Sequence, residues 1–214
     1  NLPLDQMETT AATVRPDLIV LASQQLTTAA ALHAAAGLFQ RSGVPLAYGG
    51  LIFNRVPELR ARIPAHFLGE NLEDSLERIE ELLAAPAAFP TVVPPENPCQ
   101  PTADLFRLRR AALEARLVDL LEKETGMNAV YMSTVNAFFS DDLQAVLDLG
   151  KPDLLEMDLN WVKKLLAERN LSTGQLLPYL GIYRQAVQLE LGAQGAPVTA
   201  WLDDYLAKNQ AKPL

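Results

Sequence analysis

Arg15-Pro16-Asp17-Leu18-Ile19-Val20-Leu21-Ala22 is the stretch that decides the fold class. Its apolar run at 18–22 follows a polar break and is typical of a strand buried on both faces of a sheet. Apolar runs at 44–48 and 65–68 predict two more strands, and the segments between them have helical composition. This strand-helix-strand alternation with short connections predicts a parallel, doubly wound α/β sheet.

Helices are predicted around these strands. One begins almost at the first residue, a second covers 25–41, and a third covers 72–84. The third helix carries one apolar stripe, formed by Leu72, Leu76, Ile79 and Leu83. A stripe of this kind is typical of a helix with one buried face.

Proline marks the end of this part of the chain. Six prolines fall within residues 86–101, a density that is incompatible with helix or central strand and typical of an extended linker. We therefore predict an α/β domain at 1–88, a linker at 89–101, and an all-α domain at 102–214 that is a helical bundle or a globin-like fold. The helices of that domain are predicted at 103–125, 128–149, 153–169, 173–191 and 197–208.

Charge and composition exclude several function classes. The chain has 18 Lys and Arg against 26 Asp and Glu, a net charge of −8, and neither 1–88 nor 102–214 is basic. Direct binding of nucleic acid is therefore not expected. The single cysteine, Cys99, excludes an internal disulfide and suits a reducing compartment. Since no apolar run approaches the roughly 18 residues of a membrane span, we predict a cytoplasmic protein without membrane contact.

The histidines are few and separate. His33 lies within an alanine-rich helix and His66 within the third predicted strand, and a structural role is favoured for both. Residues 102–214 contain neither His nor Cys. This composition excludes a haem held by a protein histidine, and a thioether-linked bilin, in that part of the chain.

A candidate ligand site lies where the predicted strands end. Ser23, the pair Gly49-Gly50, and Gly69 follow the three strands, and open parallel sheets bind ligands at the carboxyl ends of their strands. Consecutive glycines indicate a close approach to the backbone or a positive φ, and the alternative interpretation is a plain turn. GxGxxG and GxxxxGK[ST] are absent, and no Asp ends a strand. A dinucleotide site, a P-loop and a phosphorylated receiver domain are therefore not supported.

Residues 15–21, 49–59 and 67–70 resemble the cobalamin-binding domain of MerR-type, light-sensing, cobalamin-dependent regulators. That family has a flavodoxin-like Rossmann domain with three markers, DxHxxG, SxL and GG. Here Gly49-Gly50 matches GG, and Ser23-Gln24-Gln25-Leu26 matches SxL apart from one extra residue. DxHxxG, which supplies the lower axial histidine to cobalt in the family, is missing. The resemblance covers residues 1–84.

The resemblance implies that cobalamin, expected as adenosylcobalamin, binds with its nucleotide tail at the strand ends. The implied binding residues are Ser23, Leu26, Thr27, Gly49, Gly50, Leu51, Phe53, Phe67, Gly69 and Glu70. The missing marker has two interpretations. In one, cobalamin binds without a histidine from this domain. In the other, which we favour, the family's first strands and the axial histidine belong to a preceding segment. By this interpretation the 214-residue chain is not expected to fold stably alone, because an apolar sheet edge would lack its neighbours.

The function that the resemblance implies is that of a sensor. Cobalamin and light would change the association state of a homo-oligomer or the output of an attached domain, and catalysis by this chain itself is not expected. Two alternatives stay open. One is a corrinoid-carrying module of a methyltransferase or mutase, and the other is an interaction domain with a degenerate cofactor slot.

Aromatic residues recur in the helical part. They include Tyr131, Phe138, Phe139, Trp161, Tyr179, Tyr183, Trp201 and Tyr205. An ordinary bundle core accounts for such residues. The alternative is a non-covalent pocket for a flat chromophore whose propionates meet Arg169, Arg184 or Lys164. Photocobilins, which are similar in domain order, place biliverdin in a helical domain beside the corrinoid, so the resemblance makes biliverdin the candidate second cofactor.

Overall fold

The computed structural model describes residues 4–84, 94–125, 129–168 and 174–210. The chain divides into two compact units, residues 1–96 and 97–214. The described part of the first unit contains α1 (Leu4–Val14), β1 (Ile19–Ala22), α2 (Leu26–Ser42), β2 (Leu46–Gly49), α3 (Leu51–Arg55), a 3-10 helix (Pro57–Arg62), β3 (His66–Phe67) and α4 (Leu72–Ala84). The predicted alternation of strands and helices is confirmed.

The described strands form one parallel sheet in the order β1-β2-β3. In its register, Ile19 lies opposite Leu46, and Ala47 lies opposite His66. β2 is the central strand, and its residues Leu46, Ala47 and Tyr48 are fully buried. The predicted parallel sheet is therefore present, with β2 at its centre.

β1 is an edge strand, since among the described residues it pairs with β2 alone. Burial alternates along it, and Val20 is 48% exposed. The prediction that this strand is buried on both faces is therefore wrong. A continuous apolar run reports hydrophobicity, but it does not report whether the strand lies at the centre or the edge of its sheet.

The two faces of the sheet carry different elements, because side chains alternate along each strand. The face that we call the α4 face carries Val20, Ala22, Ala47, Gly49 and His66. Helix α4 covers part of it, since Leu82 and Ile79 pack with Ala47. The opposite face carries Tyr48, whose ring lies edge-on to Phe53 of α3 with the centroids 4.7 Å apart.

Helix α4 leaves a row of leucines uncovered. Leu72, Leu76 and Leu83, which we call the leucine row, are 70%, 56% and 51% exposed. Of the predicted stripe only Ile79 is partly buried, and Leu82 beside it is the buried leucine of the helix. The helix therefore packs on the sheet through Ile79 and Leu82, and its leucine row faces solvent.

The described part of the second unit contains α5 (Gln100–Thr125), α6 (Ala129–Asp148), a 3-10 helix (Pro152–Leu154), α7 (Leu155–Glu168), α8 (Leu176–Leu191), a 3-10 helix (Gly192–Gly195) and α9 (Ala196–Gln210). The predicted helices are confirmed to within a few residues. Helix α5 begins inside the predicted linker, because Pro101 lies in the first turn, where its missing N–H costs no helical hydrogen bond. Residues 89–93 of that linker lie outside the described residues.

The core of the second unit lies along α5, α6 and α8. Phe106, Leu113 and Leu117 share one face of α5 and are fully buried. Asn97 joins the start of α5 to the end of α6: its Oδ1 accepts from the backbone N–H of Cys99 at 2.9 Å, and its Nδ2 donates to the carbonyl of Leu147 at 2.9 Å. The second unit is therefore all-α, as predicted.

Candidate functional site

The carboxyl edge of the sheet brings Ser23 and Gly50 into direct backbone contact. The N–H of Ser23 donates to the carbonyl of Gly49 at 3.0 Å, which extends the β1–β2 ladder by one residue. Gly50 has φ +117°, and a Cβ at this position would lie 2.1 Å from the carbonyl oxygen of Ser23. The second glycine is therefore required by the packing of the chain against itself.

Gly49 is different from its neighbour. Its φ is not in the left-handed region, and a Cβ there would meet nothing within 4 Å. It lies opposite Ala22 at the end of the α4 face. Two small residues thus border open space at the ends of β1 and β2, and nothing in the described packing requires glycine at position 49.

The loop between β1 and α2 is held by its own hydrogen bonds. Ser23 is 2% exposed, and its Oγ donates to the carbonyl of Thr28 at 3.0 Å. The Oγ1 of Thr28 in turn accepts from the N–H of Gln25 at 3.2 Å. Ser23 therefore positions the loop and presents its backbone, rather than its hydroxyl, to the strand ends.

Arg60 organises the end of β3. Its Nη2 donates to Glu70 Oε1 at 2.8 Å, its Nε donates to the carbonyl of Phe53 at 3.0 Å, and its guanidinium lies 4.2 Å from the ring centroid of Phe67. Tyr48 completes the group, with its hydroxyl donating to the carbonyl of Arg60 at 3.3 Å. Sequence reasoning missed Arg60, because an arginine between Leu59 and Ala61 carries no local sign of such partners.

Two titratable groups near the sheet are held neutral. Burial raises the pKa of Tyr48 to about 12, and the charge of Arg60 opposes the rise only in part. Burial, and secondly the charge of Arg78, lower the pKa of His66. The Nε2 atom of His66 is buried without a hydrogen-bond partner. Because His66 lies opposite Ala47 rather than at the strand ends, it does not belong to the candidate site.

The predicted binding residues fall into three groups. Ser23, Gly49 and Gly50 lie together at the ends of β1 and β2, while Phe67, Gly69 and Glu70 lie at the end of β3. Leu26 and Phe53 are fully buried in the core, whereas Thr27 is half-buried and Leu51 is exposed. The candidate site that the geometry supports is therefore the Ala22–Gly49 surface, bordered by Ser23 and Gly50.

A cleft of the first unit lies away from this site. It measures about 850 Å³, and its lining includes Glu8, His33, Arg41, Pro64 and Pro94. His33 lies near the middle of α2 (Leu26–Ser42), two helical turns after its first residue. None of the predicted binding residues lines this cleft.

The aromatic residues of the second unit form two separate groups. Phe139 is edge-on to Tyr183, with the ring centroids 4.6 Å apart, and it also packs on Tyr179. Trp201 stacks on Tyr205 at 5.3 Å. Phe138 and Trp161 are exposed, so they do not belong to the core, and the side chain of Tyr131 lies outside the described residues.

The predicted propionate partners are dispersed. Arg184 forms a bidentate ion pair with Asp203. Its Nε donates to Oδ1 at 2.8 Å and its Nη2 donates to Oδ2 at 3.0 Å. Arg169 lies outside the described residues, and Lys164 lies in α7. Arg184 could therefore meet a chromophore only by leaving Asp203.

A half-buried acidic pair lies on α6 and α7. Burial, and secondly the charges of Asp158 and Asp141, raise the pKa of Asp142 to about 7. Burial also raises the pKa of Asp158. Between about pH 4 and pH 7, the folded state therefore keeps a proton on Asp142 that the unfolded chain, in which the pKa of Asp is about 3.9, releases.

Asp142→Asn is expected to lose less stability than the native chain when the pH is raised from 5 to 8. The native chain keeps the contribution of neutral Asp142 in full below about pH 4 and loses it as pH rises through about 7. Because the carboxyl group retains contact with water, we expect the loss to be about 1–2 kcal/mol. Urea unfolding at pH 5 and pH 8, monitored by tryptophan fluorescence, measures it. The same pH difference in both proteins would contradict the prediction.

Two further observations bear on function. Within the described residues, no three His, Cys, Asp or Glu side chains come together to hold a metal ion. None of the helices in the described ranges combines the length and apolar character needed to cross a membrane.

The chain matches no protein-family model and no curated protein, so the candidate site is argued from its own residues.

Proposed function

We propose that the first unit is a flavodoxin-like, cobalamin-binding module of a cytoplasmic light sensor. Gly49 carries the proposal. Gly49 is the last residue of β2, and glycine loses more conformational freedom on folding than alanine does. The described packing does not require glycine at this position. A group from outside that approaches the backbone at Ala22 and Gly49 would account for it.

The nucleotide tail of cobalamin is the group that we assign to this surface. Ala22 and Gly49 would form its floor, and the Ser23 and Gly50 backbones would border it. Ala47, two residues before Gly49 on the same face of the sheet, is covered by Ile79 and Leu82 of α4, which would offer apolar contact. Bound adenosylcobalamin would supply a light-sensitive cobalt–carbon bond. Neither His33 nor His66 lies at this edge, so the proposal assigns neither of them to cobalt.

The exposed apolar surface supports association as part of the response. The leucine row and Val20 together expose several large apolar side chains on one side of the first unit, and such groups mark interaction surfaces. We assign them to a homo-oligomer, in which a two-fold axis would bring leucine row onto leucine row. Sedimentation in the dark and after green light measures the association state.

Gly49→Leu is expected to weaken adenosylcobalamin binding by about 10- to 100-fold in the full-length protein, because the new side chain would occupy the space assigned to the tail. The fold should tolerate the change, since a Cβ at this position meets nothing within 4 Å. Titration followed by the corrinoid absorbance gives the affinity. Gly181→Leu, at another glycine with open space but in the second unit, is the matched control and should bind like the native protein.

Three results would contradict the proposal in different ways. Native affinity in Gly49→Leu would mean that cobalamin binds away from the Ala22–Gly49 surface. No cobalamin binding by the native protein would favour an interaction domain with a degenerate site. Cobalamin binding with no change in spectrum or association state after green light would remove the sensor and favour a corrinoid-carrying module of a methyltransferase or mutase.

Biliverdin is our candidate second cofactor, and it is assigned to the second unit. The exposed rings of Phe138 and Trp161 support this assignment, because exposed aromatic rings can stack on a flat chromophore. Added biliverdin should then give a red-shifted absorbance that co-elutes with the protein. Free elution of biliverdin would leave a packed bundle.

A further inference from the structure

A cavity between α5 and α6 contains a buried amide with nothing to bond to. The cavity measures about 370 Å³, and the described residues that line it are Glu114, Ala115, Val118, Ser133 and Asn136. Asn136 is 1% exposed, and neither its Oδ1 nor its Nδ2 has a hydrogen-bond partner. A buried carboxamide that lacks both bonds lowers the stability of the fold, so this side chain points to a ligand that would complete it.

The polar neighbours of Asn136 are committed elsewhere. Glu114 accepts from Arg110 Nε at 2.7 Å, and Arg110 is held further by Asp141 and by the carbonyl of Ala137. One turn along α6 from Asn136, the hydroxyls of Ser140 and Tyr183 bond to each other at 3.0 Å. The missing partner of Asn136 must therefore enter through the cavity.

We propose that this cavity binds a flat, largely apolar ring with a lactam edge, in which an N–H and a C=O lie side by side. The carboxamide of Asn136 offers the complementary pair, with Oδ1 accepting from the lactam N–H and Nδ2 donating to its C=O. Ala115 and Val118 supply apolar contact for the ring. An anion is opposed by the carboxylate of Glu114, and a hydrocarbon would leave the amide unpaired.

The lactam site is independent of the corrinoid proposal. It rests only on residues of α5 and α6, and its test uses no cobalamin. Loss of corrinoid binding in Gly49→Leu would leave it untouched, and failure of the lactam test would leave the Gly49 surface untouched.

The test compares two probes on the full chain, 2-pyridone and N-methyl-2-pyridone, by ligand-observed NMR. The two rings differ by one methyl group, which replaces the lactam N–H and so removes the hydrogen-bond donor. We expect 2-pyridone to bind with an affinity at least about tenfold higher, the usual weight of one buried hydrogen-bond pair. Equal binding of the two probes, or no binding of either, would overturn the proposal.

Asn136→Leu separates a ligand-binding role from a structural one. If the amide serves a ligand, this variant should lose 2-pyridone binding and melt at a higher temperature than the native protein. A lower melting temperature with unchanged binding would show that Asn136 serves the fold instead. Asn54→Leu, which removes an exposed amide of the first unit, is the matched control and should bind 2-pyridone normally. If Asn136→Leu does not fold, Val118→Phe, which fills the cavity from α5, should abolish binding, and retained binding would refute the site.

Discussion

Gly50→Ala is expected to destabilise the first unit by about 3–5 kcal/mol, although it adds a single methyl group. The added Cβ would lie 2.1 Å from the Ser23 oxygen and 2.7 Å from its nitrogen, and both are backbone atoms that cannot rotate away. The residue would also have to keep φ at +117°, a conformation that side chains with a Cβ rarely adopt. Backbone strain and overpacking each cost about 1–3 kcal/mol.

The position of the tryptophans makes this measurement specific. Trp161 and Trp201 both lie in the second unit, so their fluorescence monitors that unit alone. Hydrogen exchange of residues 19–22 and 46–49, measured by mass spectrometry, monitors the sheet. In Gly50→Ala the sheet amides should lose most of their protection while the fluorescence transition stays in place.

Gly49→Ala is the matched control for this prediction. It adds the same methyl group one residue earlier, in open space, and should change stability by less than about 1 kcal/mol. Equal protection of the sheet in the two variants would mean that the Ser23–Gly50 contact can relax. A bulky residue at Gly50 would collide with the chain itself, so only position 49 can test the cofactor slot.

Tyr183→Ala is expected to destabilise the second unit by about 3–5 kcal/mol, the usual cost of deleting a fully buried aromatic ring. Tyr183 is 0% exposed and stands edge-on to Phe139. The truncation removes that ring contact, opens a cavity, and leaves the hydroxyl of Ser140 without its partner. Urea unfolding followed by tryptophan fluorescence measures the loss.

Tyr183→Phe divides that loss into its parts. It keeps the ring and removes only the hydroxyl, so it should cost about 1–2 kcal/mol, and the double variant with Ser140→Ala should recover part of it. If Tyr183→Phe were as damaging as Tyr183→Ala, the hydrogen bond rather than the ring would dominate. If Tyr183→Ala cost less than about 1 kcal/mol, the site would have to collapse readily around the deletion.

Most of the helices and strands could be predicted from the sequence, because their signals are local. Helix 72–84 has the predicted ends, since its leucine spacing and the change of composition at Asn71 both lie within the segment. The strand ends at Ser23, Gly49 and Gly69 were likewise predictable, and so was the all-α character of residues beyond 102. The resemblance to cobalamin-binding domains also rests on such local motifs.

Two features of the candidate sites depend on partners that are not adjacent in sequence. Nothing local distinguishes Gly49, which faces open space, from Gly50, which lies against Ser23. Arg60 acquires its role from Glu70 and Phe67.

The sequence by itself determined most of the helices and strands to within a few residues, the parallel sheet, the helical second part and the position of the strand-end glycines. Only the tertiary structure decided that β1 lies at an edge, that α4 turns its leucine row outward, that Gly49 rather than Gly50 borders free space, and that Asn136 is buried without a partner. The physical reason is the range of the forces involved. Helix and strand formation depend on residues within a few positions of one another, whereas burial, close approach and hydrogen-bond satisfaction depend on which separate segments come together in space.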